Sequence, residues 1–420
     1  MGLSLPFVTL LIMMAVLPQW APHRWARHYQ KYIITLVVLT LGCASFLDIS
    51  LMPRFLCTLY SEYIPFILFL GCLYGLSCGI QIRITAPPLP KWNTFSLFLG
   101  MLTAALLGTT GACVIWVHTL LQLNCFRKHK VHTMVFLIFC VANVGGVFSS
   151  LGDPPLLLGF LKGIPFFWAT QHLTPAGVYV SVCLLGVYYL LDTHMYRKES
   201  FKTDFIPLSI SVTGRGYIAA VGLLMMTIIL IQKYSTQMWS CFTETLPLYS
   251  GDIYKTILLS GILYGIVRKK KELPRFSSHV LKELSWTFLG LFMCVVPVVQ
   301  WLHEPGMHPW LQTQGSPKLL FWISGICSAF LDNAPTYVLF VESAGGFKEI
   351  SSVALKHISC ATVMMGAMTY IGNAPNLLVK SIAENQGISM PNYFSYMKWS
   401  LIILLPILII LVHGTAFLRY

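Results

Sequence analysis

Apolar runs of about 17–25 residues, the length that crosses a bilayer, or slightly shorter ones, recur from one end of the chain to the other. They predict spans near residues 4–18, 31–48, 63–80, 132–163, 174–192, 215–232, 251–267, 286–302, 353–385 and 393–418. The first run, Leu5 to Leu17, has no basic residue before it and is followed by Pro18-Gln19-Trp20, so it reads as a short span and not a cleavable signal. Two more apolar segments, 94–123 and 319–342, are interrupted by Gly108-Thr109-Thr110-Gly111 and by Asp332-Asn333-Ala334-Pro335. Each reads as a re-entrant hairpin, because non-helical backbone at membrane depth is tolerated only where protein or a water-filled cavity covers it.

The runs at 132–163 and 353–385 are broken helices. Their centres, Gly146 to Pro155 and Gly366 to Pro375, align without a gap as G-x-x-[ST]-x-x-G-[DN]-x-P. A hairpin tip precedes each break by a similar interval, 44 residues from Gly108 to Gly152 and 40 from Asp332 to Gly372. The chain therefore reads as an internal duplication. Residues 1–192 form a first repeat, 193–214 a cytoplasmic linker and 215–420 a second repeat. Five crossings per repeat is an odd number, so the second repeat is inverted relative to the first.

Composition agrees with a membrane protein: 56% of residues are hydrophobic and only 10% are charged, with a mean hydropathy of +0.71. A soluble protein carries about 25% charged residues. This excludes a soluble enzyme and a disordered scaffold. The net charge of +13 does not indicate a nucleic-acid partner, since the basic residues lie between apolar runs. With both termini outside, the inner segments hold twenty of the twenty-eight basic residues, among them Arg83, Arg127 and Lys269-Lys270-Lys271. That bias sets the orientation under the positive-inside rule. The first hairpin then enters from the cytoplasm and the second from outside. The twelve cysteines lie mostly in apolar runs without a CxxC pair and read as core residues.

Nearly all of the fifteen acids fall in loops or at span ends, where Asp48 and Asp192 read as solvated terminal residues. Asp153, at the first break, and Asp332, at the second tip, sit deep. A carboxylate at bilayer depth costs about 2.5–3.5 kcal/mol or more and normally serves an ion path or proton relay. Around the two stand hard oxygen donors: Thr109, Thr110, Asn143, Ser149, Ser150, Asn333, Thr336, Thr369, Asn373 and Asn376. Such donors suit sodium or lithium. Gly108, Gly111, Gly152, Gly372 and Pro335 shape the backbone turns. No lysine or arginine lies within either hairpin or break, although Lys162 and Lys380 follow the breaks. Two acids without a base favour a cation as cargo, and an anion bound together with cations is the alternative. His118, on the second arm of the first hairpin, reads as a packing residue or a proton relay.

These motifs, Gly108-Thr109-Thr110-Gly111-Ala112, Asn143-Val144-Gly145-Gly146, Leu151-Gly152-Asp153-Pro154-Pro155, Phe330-Leu331-Asp332-Asn333-Ala334-Pro335 and Ile371-Gly372-Asn373-Ala374-Pro375-Asn376, resemble those of the NhaD-type sodium/proton antiporters. That family belongs to the ion transporter superfamily, which includes citrate and dicarboxylate carriers. The resemblance implies an all-α polytopic elevator transporter of about ten transmembrane helices plus two re-entrant hairpins. It implies a dimerising scaffold, hence a homodimer in membrane lipid. It also implies residence in a bacterial inner membrane, no cofactor beyond transported sodium and protons, and no enzymatic activity. Sodium at Asp153 and Asp332 would alternate with protons; citrate-like carboxylate uptake is the runner-up. Intramembrane aspartyl proteases also pair two aspartates, one in a Gly-x-Gly-Asp motif that is the later of the two. Here Gly152-Asp153 comes first, position 150 is serine, and the Pro-Ala-Leu element is absent.

The charge bias yields a topology test. Single cysteines at positions 269–271 are expected to resist a membrane-impermeant maleimide applied to intact cells and to react once the membrane is opened.

Overall fold

Proline, glycine and single-residue joints divide the apolar runs more often than polar loops do. A computed structural model of the chain describes residues 4–199, 209–212, 278–302 and 316–416. The spans expected at 215–232 and 251–267, the Lys269–Lys271 run and half of the 193–214 linker lie outside the described residues. Helices α1 (Leu5–Trp20) and α2 (Pro22–Leu47) are separated by Ala21 alone. Next, α3 (Met52–Cys57) passes through a π-helical turn into α4 (Ile64–Cys78), starting well before the expected residue 63.

The first hairpin is α5 (Pro90–Leu107) and α6 (Thr109–Leu123), joined by Gly108. The first broken segment consists of α7 (Val131–Cys140), a 3-10 turn (Val144–Phe148) and α8 (Pro154–Leu161), followed by α9 (Trp168–Tyr196). After α10 (Ser278–Leu302), the second hairpin comprises α11 (Pro317–Leu331) and α12 (Asn333–Ser343), joined by Asp332. A short α13 (Gly346–Glu349) leads to α14 (Ser352–Met365), the second break and α15 (Ala374–Asn385). The last span begins as α16 (Tyr393–Trp399) and runs to Gly414 through π-helical turns. At about 1.5 Å per residue, the 15 residues of α11 and 11 of α12 fall short of a bilayer's roughly 30 Å hydrocarbon core.

Six of the described helices are long and apolar enough to cross a membrane, and the chain is an integral membrane protein. Their burial differs in a way that matters for the breaks. The span Val131–Phe148 is 89% buried inside the protein, whereas His23–Leu47 is 22% buried. Irregular backbone is thus wrapped by other helices, while α2 turns Val38, Phe46 and Leu47 outward, where lipid would solvate them.

One element departs from the all-helical expectation. β1 (Ile82–Thr85) pairs antiparallel with β2 (Ser209–Val212), Ile82 opposite Val212 and Thr85 opposite Ser209. Four-residue strands carry too little alternation to be read from sequence. Their pairing brings the approach to the first hairpin and part of the linker to one end of the molecule.

The first hairpin's base also holds a buried ion cluster, which corrects the reading of Asp192 as solvated. Asp192 is fully buried. Its Oδ1 lies 2.6 Å from Arg127 Nη2 and 2.7 Å from His132 Nε2. Arg127 Nη1 and Asn93 Nδ2 each donate to its Oδ2 at 3.0 Å. Asn93 and Asn124 exchange two side-chain bonds beside it, and Glu199 accepts the backbone N–H groups of Lys128 and His129. The cluster ties the start of α5, the exit of α6, the start of α7 and the end of α9, fixing the first hairpin at its base.

Removing one partner of a buried pair strands the other charge, at a cost of about 3–5 kcal/mol, whereas replacing both with apolar groups is often neutral. Arg127→Met is therefore expected to lower the unfolding temperature of the detergent-purified protein steeply. The Arg127→Met, Asp192→Leu double variant should recover most of the loss.

Candidate functional site

The two breaks are built by the same local bonds. Ser149 Oγ donates to Ala105 O, and Thr369 Oγ1 donates to Ala329 O at 2.5 Å. Each acceptor lies three residues before its hairpin tip, so the serine or threonine of the duplicated motif ties a break to its own hairpin. The same hydroxyls accept from Leu151 N and Ile371 N, both at 3.1 Å. The paired glycines close each break. A Cβ at Gly152 would come within 2.2 Å of Gly146 O, and one at Gly372 within 2.5 Å of Gly366 O. No side chain fits between those strands of backbone.

The tips match as well. Gly108 has φ 76° and ψ 152°, and Asp332 has φ 75° and ψ 149°. Glycine adopts this region freely. For any other residue it is strained, by about 1–3 kcal/mol, and Asp332 is the only non-glycine residue with positive φ among the described residues.

Asp153 caps nothing. It precedes α8, yet its carboxylate makes no bond to the helix end; Asn373, its counterpart before α15, makes none either. Instead Asp153, 1% exposed, faces the centre. Its Oδ1 accepts from Thr109 Oγ1 at 2.7 Å and from Asn373 Nδ2 at 3.2 Å, and its Oδ2 accepts from Asn333 Nδ2. One carboxylate thereby joins the first tip, the second tip and the second break. Behind it, Asn373 Nδ2 also donates to Asn143 Oδ1 at 3.2 Å, and Asn143 Nδ2 to Asn376 Oδ1 at 2.8 Å. Asn376 Nδ2 then serves the break's own carbonyls, Gly366 O at 2.8 Å and Thr369 O at 2.9 Å. Asn333 Oδ1, fully buried beside Asp153, has no hydrogen-bond partner among the described residues.

The other expected residues divide. Thr110 and Gly111 line a space of about 10 Å³ with Gly108, Thr109, Gly152 and Asp153, room for about one water. Pro335 is buried in the first turn of α12, where a missing N–H costs no helix bond. Thr336 Oγ1 turns back to Asp332 O at 2.8 Å. Ser150 leaves the site, donating to Phe166 O at 2.6 Å. His118 Nδ1 lies 2.8 Å from Val114 O on its own helix.

Asp332 differs from Asp153 in access. It is half-buried, and its Oδ1 accepts from the Asn333 backbone N at 2.6 Å. It lines a cavity of about 330 Å³ together with Trp25, His279, Glu283 and Ser381. Trp25, His279 and Glu283 escaped sequence reading; the one signal was His279 and Glu283 spaced four apart at the entrance of an apolar run. The two nearby lysines are engaged elsewhere, Lys162 with Glu62 at 2.9 Å and Lys380 with Glu384 at 2.6 Å. What converges is carboxylate, amide, hydroxyl and carbonyl oxygen, together with the N-termini of α6, α8, α12 and α15. Oxygen donors hold hard cations, and helix N-termini attract negative charge. Residues 1–415 match a family model described as "Putative citrate transport". No curated protein matches the chain.

The backbone at position 332 leads to a prediction with opposite signs for stability and transport. Asp332→Gly is expected to keep or raise the thermal stability of the purified protein, by about 1–2 kcal/mol from relieved strain, while abolishing transport. Gly108→Ala should lower stability by a similar amount, about 1–2 kcal/mol.

Proposed function

The chain belongs to this citrate-transport family within the ion transporter superfamily, and from that premise we propose that it is a secondary transporter exchanging sodium, or lithium, for protons. One observation carries the choice of cargo. The described residues that line the cavity reaching the site include the carboxylates Asp332 and Glu283 and no lysine or arginine. Among these residues an anion entering alone would meet two carboxylates, whereas a cation meets attractive charge.

Asp332 is the exchanging group on this reading. Cation binding by oxygen donors opposes protonation of a carboxylate, so sodium and protons compete for one position. Asn333 Oδ1, without a hydrogen-bond partner among the described residues, supplies a neutral oxygen next to that position. Asp153, held by three side-chain donors, sets the shape of the site. Two unequal spaces support alternating access: about 330 Å³ beside the second tip and about 10 Å³ beside the first. The larger space is lined by residues of α1, α2 and α10 together with the second tip, the second break and α15. In an elevator motion the hairpins and broken helices would slide as a unit past α1, α2, α4 and α10.

The family's description and the four converging helix N-termini favour a second reading, in which a citrate-like carboxylate travels with the bound cation. Proteoliposomes loaded with a pH-sensitive dye separate the two. Exchange predicts a sodium-driven internal pH change without citrate, lost in Asp332→Asn while the protein still folds and inserts. Sodium-stimulated citrate accumulation, with no pH change from sodium alone, would replace the first reading with the second.

A further inference from the structure

Glu283 lines the same large cavity as Asp332, and its surroundings differ from those of the acids held in ion pairs with lysine or arginine. Glu62 and Glu384 each contact a lysine, and Asp192 contacts an arginine. Glu283 Oε1 instead accepts from Trp25 Nε1 at 3.0 Å, while His279 Nδ1 lies 3.8 Å from its Oε2. Trp25 is 7% exposed and stacks at a tilt against Tyr29, which meets the His279 ring edge-on. An indole N–H is a donor only and carries no charge. It therefore fixes the carboxylate's position without neutralising it. The Glu283 side chain is 37% exposed and that of His279 59%, so both are more open than the half-buried Asp332 that lines the same cavity.

We propose that Glu283, positioned by Trp25, is a selectivity residue at the mouth of the cation path, drawing monovalent cations toward Asp332 and turning anions away. A fixed negative charge in a cleft with low-dielectric walls focuses the field and raises the local counter-ion concentration. Its effect acts on capture and not on the exchanging group, so it belongs in the apparent affinity for sodium rather than in the maximal rate. The inference rests on the sodium/proton reading.

The test uses the full chain in proteoliposomes, with sodium-driven pH change as readout. Glu283→Gln keeps the size of the side chain and an acceptor for Trp25 but removes the charge. Its half-saturating sodium concentration is expected to rise about three- to tenfold, a range set by one charge acting through partly aqueous space, with the maximal rate within about twofold of the wild type. The rise should shrink when choline chloride raises the ionic strength, because exposed charges are screened. Glu283→Asp should recover most of the affinity, and Trp25→Phe should show a smaller, equally salt-sensitive rise. An unchanged half-saturation in Glu283→Gln, or a fall in maximal rate alone, overturns the assignment. If Glu283→Gln accumulates poorly, Trp25→Phe decides the matter: no change in half-saturation overturns the proposal. A wild type that does not exchange sodium for protons removes the underlying reading and this inference with it. A wild type that exchanges, beside a Glu283→Gln variant indistinguishable from it, removes this inference alone.

Discussion

Four helix N-termini meet inside the membrane-spanning body, and the carboxyl group of Asp153 is the side chain on which all four converge. Helices α6, α8, α12 and α15 begin at Thr109, Pro154, Asn333 and Ala374. Each end carries the equivalent of about half a positive charge, in a region from which water is nearly excluded. Asp153 touches residues at or next to these starts: it precedes Pro154 and accepts from Thr109, Asn333 and Asn373. The contacts run between segments up to 220 residues apart in sequence. They hold two hairpins and two broken helices at one point, and the cavity beside the second tip exists because that point is fixed.

The same region has to satisfy its own backbone. Each interrupted helix frees carbonyls and N–H groups that lipid cannot bond, at a cost of several kcal/mol apiece when left unpaired. The chain meets that demand from within the site. Thr109 N donates to Gly152 O at 2.8 Å, Asn373 Nδ2 to Ala142 O at 2.9 Å, and Asn376 to two carbonyls of the second break. Side chains that would look like cation ligands in a sequence are in part the caps of these breaks. Ser149 and Thr369 are the plainest cases, each spending its hydroxyl proton on a hairpin carbonyl.

The features legible in the sequence were those with a local backbone cause. The tips at Gly108 and Asp332 showed because helix breakers interrupt an apolar run. The breaks showed because a glycine pair, a hydroxyl and a proline recur at fixed offsets, each for a reason that acts within a few residues. Ser150 was misplaced because it neighbours Ser149 in an irregular turn that sends the two hydroxyls to different carbonyls, Phe166 O and Ala105 O. Asp192 was misread because its partners, Arg127 and His132, lie 65 and 60 residues away, beyond any periodicity. Glu283 and Trp25 are 258 residues apart and meet only when α2 packs on α10. The β pair was hidden by strands too short to alternate visibly.

The duplication also explains why the two deep acids are not equivalent. In the first copy the acid is at the break and the tip is glycine; in the second, the tip is the acid and the break has Asn373. Asp153 therefore lies among donors from its own half and from the other. Asp332 occupies a backbone conformation that suits Gly108 better, and it accepts from a backbone N–H beside it while facing open space. An aspartate where the mirrored position is glycine costs the fold about 1–3 kcal/mol of strain, and among the described residues no side-chain donor bonds its carboxylate. On the proposed exchange, that strain is carried for a group that binds and releases a cation, whereas Asp153, bonded from three segments, organises the structure.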